Sequence, residues 1–402
     1  GPTFRLPAAA RRALGEGLAA ALEYAHLLVL HPRDSAPRHL GELLDTGWGE
    51  DGVVSLAQLI SFLSFQIRAA ESLAALGGDD SSSGAAAGGI DDAEAPAGAA
   101  SAGAALGSGT ATLAGSAVPT GSEAPADAET QSGAEAPVGS QATAGSTTLA
   151  GSETPTTLHE RVTEYPDLKR PDRFTRGGLG WLPWIEPVAE DALTDRQREA
   201  LVERARTKSP YFRLLVRDPD ALEARTLTDF DIFYNVDGGL SRAEREVAAT
   251  VASRLNGCLF CASIHSHRAV QEDASYLDAV QRLLDDGVEA ELRRGTGDES
   301  SHRPVDESSG RSEGESSPRL ADESSSGTGL PSAEAGARWD AIVAASAALT
   351  RTPQAFSAGH VDRLHRAGLE DGEIVDMING AAFFNWANRL MLSLGEPERI
   401  GA

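Results

Sequence analysis

The residues best suited to chemistry lie in one stretch, Asn256-Gly257-Cys258-Leu259-Phe260-Cys261-Ala262-Ser263-Ile264-His265-Ser266-His267. It holds the chain's 2 cysteines, spaced Cys-x-x-Cys, and a histidine four residues past the second. Such spacing fits a dithiol that closes to a disulfide, a redox chemistry in which the thiolate is the attacking form. Histidine titrates near neutrality and is suited to take up or return the thiol proton.

These side chains need two helices to position them. Asn256-Gly257 breaks the preceding element, and Leu259, Phe260, Ala262, Ile264, Ala269 and Val270 suit a helix beginning at about Cys258. Both thiols then fall in its first turn, where free amides and the helix dipole are expected to favour thiolate. Residues three and four apart share a face, so Cys258 is predicted beside Cys261, and Cys261 beside His265. Upstream, Ser241 is an N-cap with Glu244 as its capping-box partner, opening a helix that runs to about Leu255. On that helix Glu246 shares a side with Val247, Ala249, Thr250 and Ser253, and a carboxylate there would complete a proton relay.

Taken together, Glu246-x11-Cys258-x2-Cys261-x3-His265 resembles the alkylhydroperoxidase D-like (AhpD-like) branch of the carboxymuconolactone decarboxylase superfamily, in residue type and in all three spacings. The wider resemblance spans roughly Phe174 to Glu398. It takes in Ser209-Pro210-Tyr211-Phe212-Arg213-Leu214-Leu215, Thr226-Leu227-Thr228-Asp229-Phe230-Asp231 and the run Ala381 to Leu390. It implies an all-α helical bundle, a peroxidatic Cys261, a resolving Cys258 and a proton relay through Glu246 and His265. The substrate would be an organic hydroperoxide or hydrogen peroxide, with a lipoamide- or thioredoxin-like dithiol as electron donor. The chain departs from the best-known members at Phe260, where they carry a histidine, so the implied relay is shorter here.

Three readings of the motif stay open on the residues alone. The first is a thiol peroxidase or disulfide oxidoreductase. No flavin or nicotinamide fingerprint is present, so no cofactor is expected and the electrons come from outside. The second is a zinc site from Cys258, Cys261, His265 and His267, which suffers because the two histidines point to different helix faces. The third is a helical assembly module with vestigial thiols. His26, His31 and His39 lack ligand spacing and are read as ordinary helix residues.

The rest of the 402 residues divides by composition. Residues 1–76 read as a helical unit: one or two helices over Ala8 to His31, a short one from Pro37 to Asp45, and a long one from Gly49 to Leu76. That last helix is apolar on nearly every side and is expected to be buried between partners. Residues 77–158, almost wholly Gly, Ala, Ser, Thr, Pro, Asp and Glu, read as a low-complexity flexible linker. Residues 159–402 form the catalytic domain, interrupted by a Ser/Glu/Asp/Gly-rich insertion at 295–333 that is expected to be disordered. Within the domain, helices are expected over Thr194 to Thr207, Pro219 to Tyr234, Asp273 to Leu292, Arg338 to Thr350, Gln354 to Ala367 and Asp371 to Leu394. Val236-Asp237-Gly238-Gly239 is a turn, and Phe174 to Trp184 a turn-rich aromatic arm covering a core edge or a neighbouring subunit. Asn385, Asn388 and Arg389 are polar for a buried helix, and subunit packing is their expected use.

An internal repeat also emerges. Shifted by 321 positions, Leu28 meets Leu349, Pro32 meets Pro353, His39 meets His360, Gly47 meets Gly368, Phe62 meets Phe383 and Arg68 meets Arg389. Residues 1–76 therefore look like the C-terminal half of a second copy of the same fold, without its Cys-x-x-Cys half.

A net charge of -25 argues against nucleic acid or an anionic membrane as a partner. No membrane-spanning run or cleavable leader is read from the sequence, and a lone reactive pair suits a reducing cytoplasm. The chain begins Gly1-Pro2 without methionine, consistent with a fragment or processed product. Bare apolar helix faces make a homo-oligomer the expected state.

Overall fold

A computed structural model describes residues 4–78, 161–235, 239–295, 330 and 332–400. The linker expected at 77–158 and the insertion expected at 295–333 lie almost wholly outside these residues, as do Val236, Asp237 and Gly238.

The chain opens with α1 (Ala8–Leu14), α2 (Glu16–Leu30), α3 (Pro37–Asp45) and α4 (Glu50–Leu76). Gly15, at φ 80°, turns the chain between the first two, and Gly47, at φ 98°, ends the third, each in the left-handed region that lacks a steric penalty only for glycine. Then come β1 (Leu179–Pro183), α5 (Asp195–Ala200), α6 (Pro210–Leu215), α7 (Pro219–Tyr234), α8 (Arg242–Asn256) and α9 (Leu259–Glu272). The chain closes with α10 (Leu277–Asp286), α11 (Val288–Gly295), α12 (Ala333–Thr350), α13 (Ala358–Arg366), α14 (Asp371–Leu394) and β2 (Gly395–Arg399). The fold is all-α, with one antiparallel pair in which Leu179 faces Arg399 and Pro183 faces Gly395.

Several expected elements differ. The arm before Trp184 is a strand, because Trp181 Nε1 donates to Met391 O at 3.0 Å and fixes it beside the segment leaving α14. The helix expected over Thr194 to Thr207 stops at Ala200. Thr194 caps it as expected, but Val202 sits at φ 62°, which no α-helix accommodates, and a 3-10 turn follows. The stretch from Asp273 is broken at Gly287, at φ 88°, into α10 and α11. The element expected from Gln354 starts only at Ala358.

Two apolar clusters make the core. One gathers α8, α10, α12, α13 and α14 around Trp339, Met377 and Ile378. The other holds Cys258 and Cys261 together with β1, α6, α7, α14 and the N-terminal helices. α14 belongs to both and is buried along most of its length. Asn385 and Asn388 find their partners within the chain, and Arg389 donates through both Nη atoms to Asn385 O and Val29 O while its Nε has no partner among the described residues, correcting the subunit-packing expectation. Asn256 Nδ2 donates to Asn385 Oδ1 at 3.2 Å and to Asn388 Oδ1 at 3.0 Å, and Asn388 Nδ2 donates to Ser253 Oγ at 3.1 Å.

The N-terminal helices pack against α14 with reciprocal contacts. Arg68 Nη2 reaches Thr350 O at 3.5 Å, while Arg389 Nη2 reaches Val29 O at 3.1 Å. Arg68 Nη1 donates to Ser64 O, and Arg389 Nη1 to Asn385 O, each at 3.0 Å. Phe62 meets Trp386 at 5.0 Å between ring centroids, Phe65 meets Phe383 at 6.2 Å, and Phe65 stacks on Trp386 at 5.9 Å. In every pair, a shift of 321 positions turns one contact into the other. Among the described residues neither arginine has a carboxylate at contact; burial, and for Arg389 also the Arg68 charge, lowers their pKa values to about 10 for Arg68 and about 9 for Arg389.

α4 is less enclosed than its composition predicts. Leu59, Leu63 and Ile67, one turn apart, are 55%, 42% and 52% exposed. By length and composition α4 is also apolar enough to cross a membrane, contrary to the sequence expectation that no such run exists, and half of that window is buried here.

Candidate functional site

The site is built on the hairpin of α8 and α9. Ser241 caps α8 by accepting from Glu244 N. The Glu244 carboxylate does not return to the cap amide as a capping box would; it accepts from the Ser241 hydroxyl at 2.7 Å and pairs with Arg338 at 2.8 Å. Arg245 ties the same turn to its neighbours, donating to Ile232 O and pairing with Asp376, both at 2.8 Å. Gly257, at φ 80°, ends α8 in the left-handed conformation and lets Cys258 take the N-cap of α9. Arg33, from the N-terminal unit, crosses over this turn and donates to Leu255 O at 2.6 Å.

Cys258 and Cys261 are free thiols with their sulfurs 2.9 Å apart, both buried. Burial and the adjoining Cys261 thiol raise the Cys258 pKa well above its usual value, and the opposing pull of the Asn388 amide is smaller. This corrects the expectation that the helix start favours thiolate at both positions. Cys258 is 2% exposed, and desolvation of a charged sulfur outweighs the dipole of α9.

The acid and the imidazole meet one turn along. His265 Nδ1 donates to Glu246 Oε2 at 2.5 Å, and Arg242 Nε donates to Glu246 Oε1 at 2.7 Å. Burial acts to raise the Glu246 pKa, but His265 and Arg242 together hold it below the ordinary carboxylate value. The carboxylate is fully enclosed, whereas His265 keeps a side-chain exposure of 19%. No hydrogen bond joins Glu246 or His265 directly to either sulfur among the described residues. The structure thus brings the four predicted site residues into two adjoining pairs, thiol with thiol and acid with imidazole.

Aromatic rings wall the imidazole. Phe384 of α14 meets His265 edge-on at 4.1 Å, and Phe233 of α7 lies 6.0 Å away. Phe260 is half-buried against the thiol cluster and adds no titrating group.

Sequence reasoning missed several polar groups here. Arg242, four residues before Glu246, is the carboxylate's second partner, and that spacing was the available signal. Asp229 and Arg225 project from α7. Burial raises the Asp229 pKa against the pull of Arg225, Arg206 and His265. Neither residue carries a local sequence signal, because what lies opposite them comes from distant elements.

The zinc reading finds no support in the arrangement. His265 is engaged by Glu246, His267 is exposed, and no group of three or more His, Cys, Asp or Glu among the described residues is placed to hold a metal. His39 instead accepts from Ala36 N at 3.0 Å, and His26 stacks on Phe4 at 4.1 Å.

Among known proteins, no curated sequence and no solved structure matches the chain. One family model does, that of the carboxymuconolactone decarboxylase family, over residues 219–284. The matched span runs from the start of α7 to Leu284 in α10, so it contains Glu246, both cysteines and His265. Over this segment, and with an all-helical architecture around it, the chain is similar to the carboxymuconolactone decarboxylase family, the AhpD-like superfamily.

Proposed function

We propose that the protein is a thiol-dependent alkyl hydroperoxidase or disulfide oxidoreductase working through Cys258 and Cys261. The observation that carries this reading is the 2.9 Å separation of two free sulfurs beside an ionised Glu246 bonded to His265. Cys261 as thiolate attacks the distal oxygen of a hydroperoxide. The O–O bond breaks, sulfur is oxidised to sulfenic acid, and the departing alkoxide takes a proton to leave as alcohol. Cys258 then displaces the sulfenic hydroxyl as water and closes the disulfide. A lipoamide- or thioredoxin-like dithiol restores both thiols by exchange and is itself oxidised.

Glu246 and His265 would manage the protons. The carboxylate fixes Nδ1 as the donor nitrogen, leaving Nε2 free to accept a proton from the thiol side or to hand one to the leaving oxygen. Burial raises Cys258 and keeps it a thiol until the sulfenic acid forms, which suits a resolving residue.

The same reading takes residues 4–78 as the C-terminal half of a second copy, docked as a partner subunit would be. Support comes from contacts that interchange under one constant shift, as an isologous interface requires. Leu59, Leu63 and Ile67 would be covered by a further copy of the chain in a homo-oligomer.

The test is rapid mixing with hydroperoxide followed by mass spectrometry. Wild type should form an intramolecular disulfide, Cys261→Ser should consume no peroxide, and Cys258→Ser should retain a dimedone-reactive sulfenic acid at Cys261. Unmodified thiols in the wild type after peroxide treatment would end the proposal.

A further inference from the structure

Over two rings of the cluster that holds the thiols lies a cation without a hydrogen-bond acceptor among the described residues. Arg225 is 6% exposed, its Nε is enclosed without a hydrogen-bond partner, and its guanidinium lies over the rings of Phe383 at 5.1 Å and Tyr211 at 5.8 Å. Glu223, two residues back, pairs with Arg196, and Asp229, four residues on, feels the Arg225 charge but is at ion-pair distance from Arg206, at 3.9 Å. Tyr211 is 9% exposed, and its hydroxyl is a second enclosed group without a partner. Burial above all pushes the Tyr211 pKa up to about 12, with smaller effects from Arg225 and from both cysteines, so the phenol remains a donor. Tyr211 packs in the same apolar cluster as both sulfurs, with Arg225 over its ring.

Buried polar groups in a folded protein are paired, and an unpaired set next to reactive atoms points to an absent partner. The donors here are a planar guanidinium and a phenol, among Trp181, Phe383 and the thiols. A carboxylate is the acceptor whose geometry matches a guanidinium fork while leaving a lone pair for the hydroxyl. We propose that Arg225 and Tyr211 form a carboxylate-binding subsite beside the thiol pair, so that the substrate is an organic hydroperoxide carrying a carboxylate. This rests on the peroxidase reading above. The charged end is then held at Arg225 and Tyr211, and the charge orients the peroxide towards Cys261.

The experiment compares a carboxylate-bearing alkyl hydroperoxide with its methyl ester, using the full chain and dihydrolipoamide as reductant. The acid should exceed the ester in kcat/KM by about tenfold, chiefly through KM, as one charge-assisted contact would give. Arg225→Gln should remove that preference, Arg225→Lys should keep part of it, and Tyr211→Phe should reduce it with the fold intact. Equal use of acid and ester by the wild type, or equal loss on both in Arg225→Gln and Tyr211→Phe, overturns the subsite. Turnover of neither compound by the wild type counts against the peroxidase reading alone. The subsite is then decided by whether hexanoate, and not hexanol, slows alkylation of Cys261. Protection lost in Arg225→Gln sustains it, and absence of protection overturns it.

Discussion

In the proposed reaction, Glu246 is the residue on which the proton chemistry turns. It is buried, yet His265 and Arg242 keep its pKa below the ordinary value of 4.5. A carboxyl group held low in the folded state contributes stability that is present above its unfolded pKa and is lost as pH falls through its folded pKa. Between pH 6 and pH 3, wild type should therefore lose more stability than Glu246→Gln, measured by urea unfolding at each pH. The same substitution should slow peroxide-driven disulfide formation by about 10²-fold, the usual scale of a lost acid–base partner, in stopped-flow measurements. That Glu246, Cys258, Cys261 and His265 converge was legible because fixed spacings on two consecutive helices settle which faces meet. Arg225 and Asp229 were not legible as site residues: their neighbours Tyr211, Phe383 and His265 come from three other helices, and no local periodicity records them.

Among the elements, α3, α7 and α14 begin and end where their residues predict, for identifiable reasons. Pro37 and Pro219 pre-set φ at the first helical position, and Asp218 accepts from Ala221 N at 3.2 Å. The β1–β2 pair was hidden because its strands are separated by some 200 residues of sequence, and a five-residue run ending in proline carries no strand signal of its own. The turn at Gly257 invites a direct test. A Cβ there would lie 3.1 Å from Arg33 Nε, in a left-handed conformation that costs other residues about 1–2 kcal/mol. Gly257→Ala should lower unfolding free energy by that amount and slow disulfide closure, because the same turn sets where Cys258 enters α9. Equilibrium unfolding and stopped-flow kinetics report the two effects separately.

At the scale of the whole molecule, the exposed stripe on α4 gains meaning from the shift of 321. Leu59, Leu63 and Ile67 correspond to Gly380, Phe384 and Asn388, the face of α14 that lies against α8 and α9. A Cβ on Gly380 would touch Arg245 O at 3.4 Å, Phe384 meets His265, and Asn388 bonds Ser253. On the proposed repeat, the N-terminal helices bear this face without the hairpin that covers it on α14. If further copies of the chain cover it, Leu63→Glu should shift sedimentation towards a smaller species while leaving protomer unfolding nearly unchanged, since that side chain is solvated in the lone chain.

α14 carries a different burden on each of its sides. Phe384 touches the imidazole, and two residues later Trp386 donates to Gln58 Oε1 at 3.1 Å across the join to the first helices. A rigid rod pinned at both flanks cannot yield on one without pressing on the other. The indole of Trp386 is therefore a built-in strain gauge, whose emission should register when something enters beside His265.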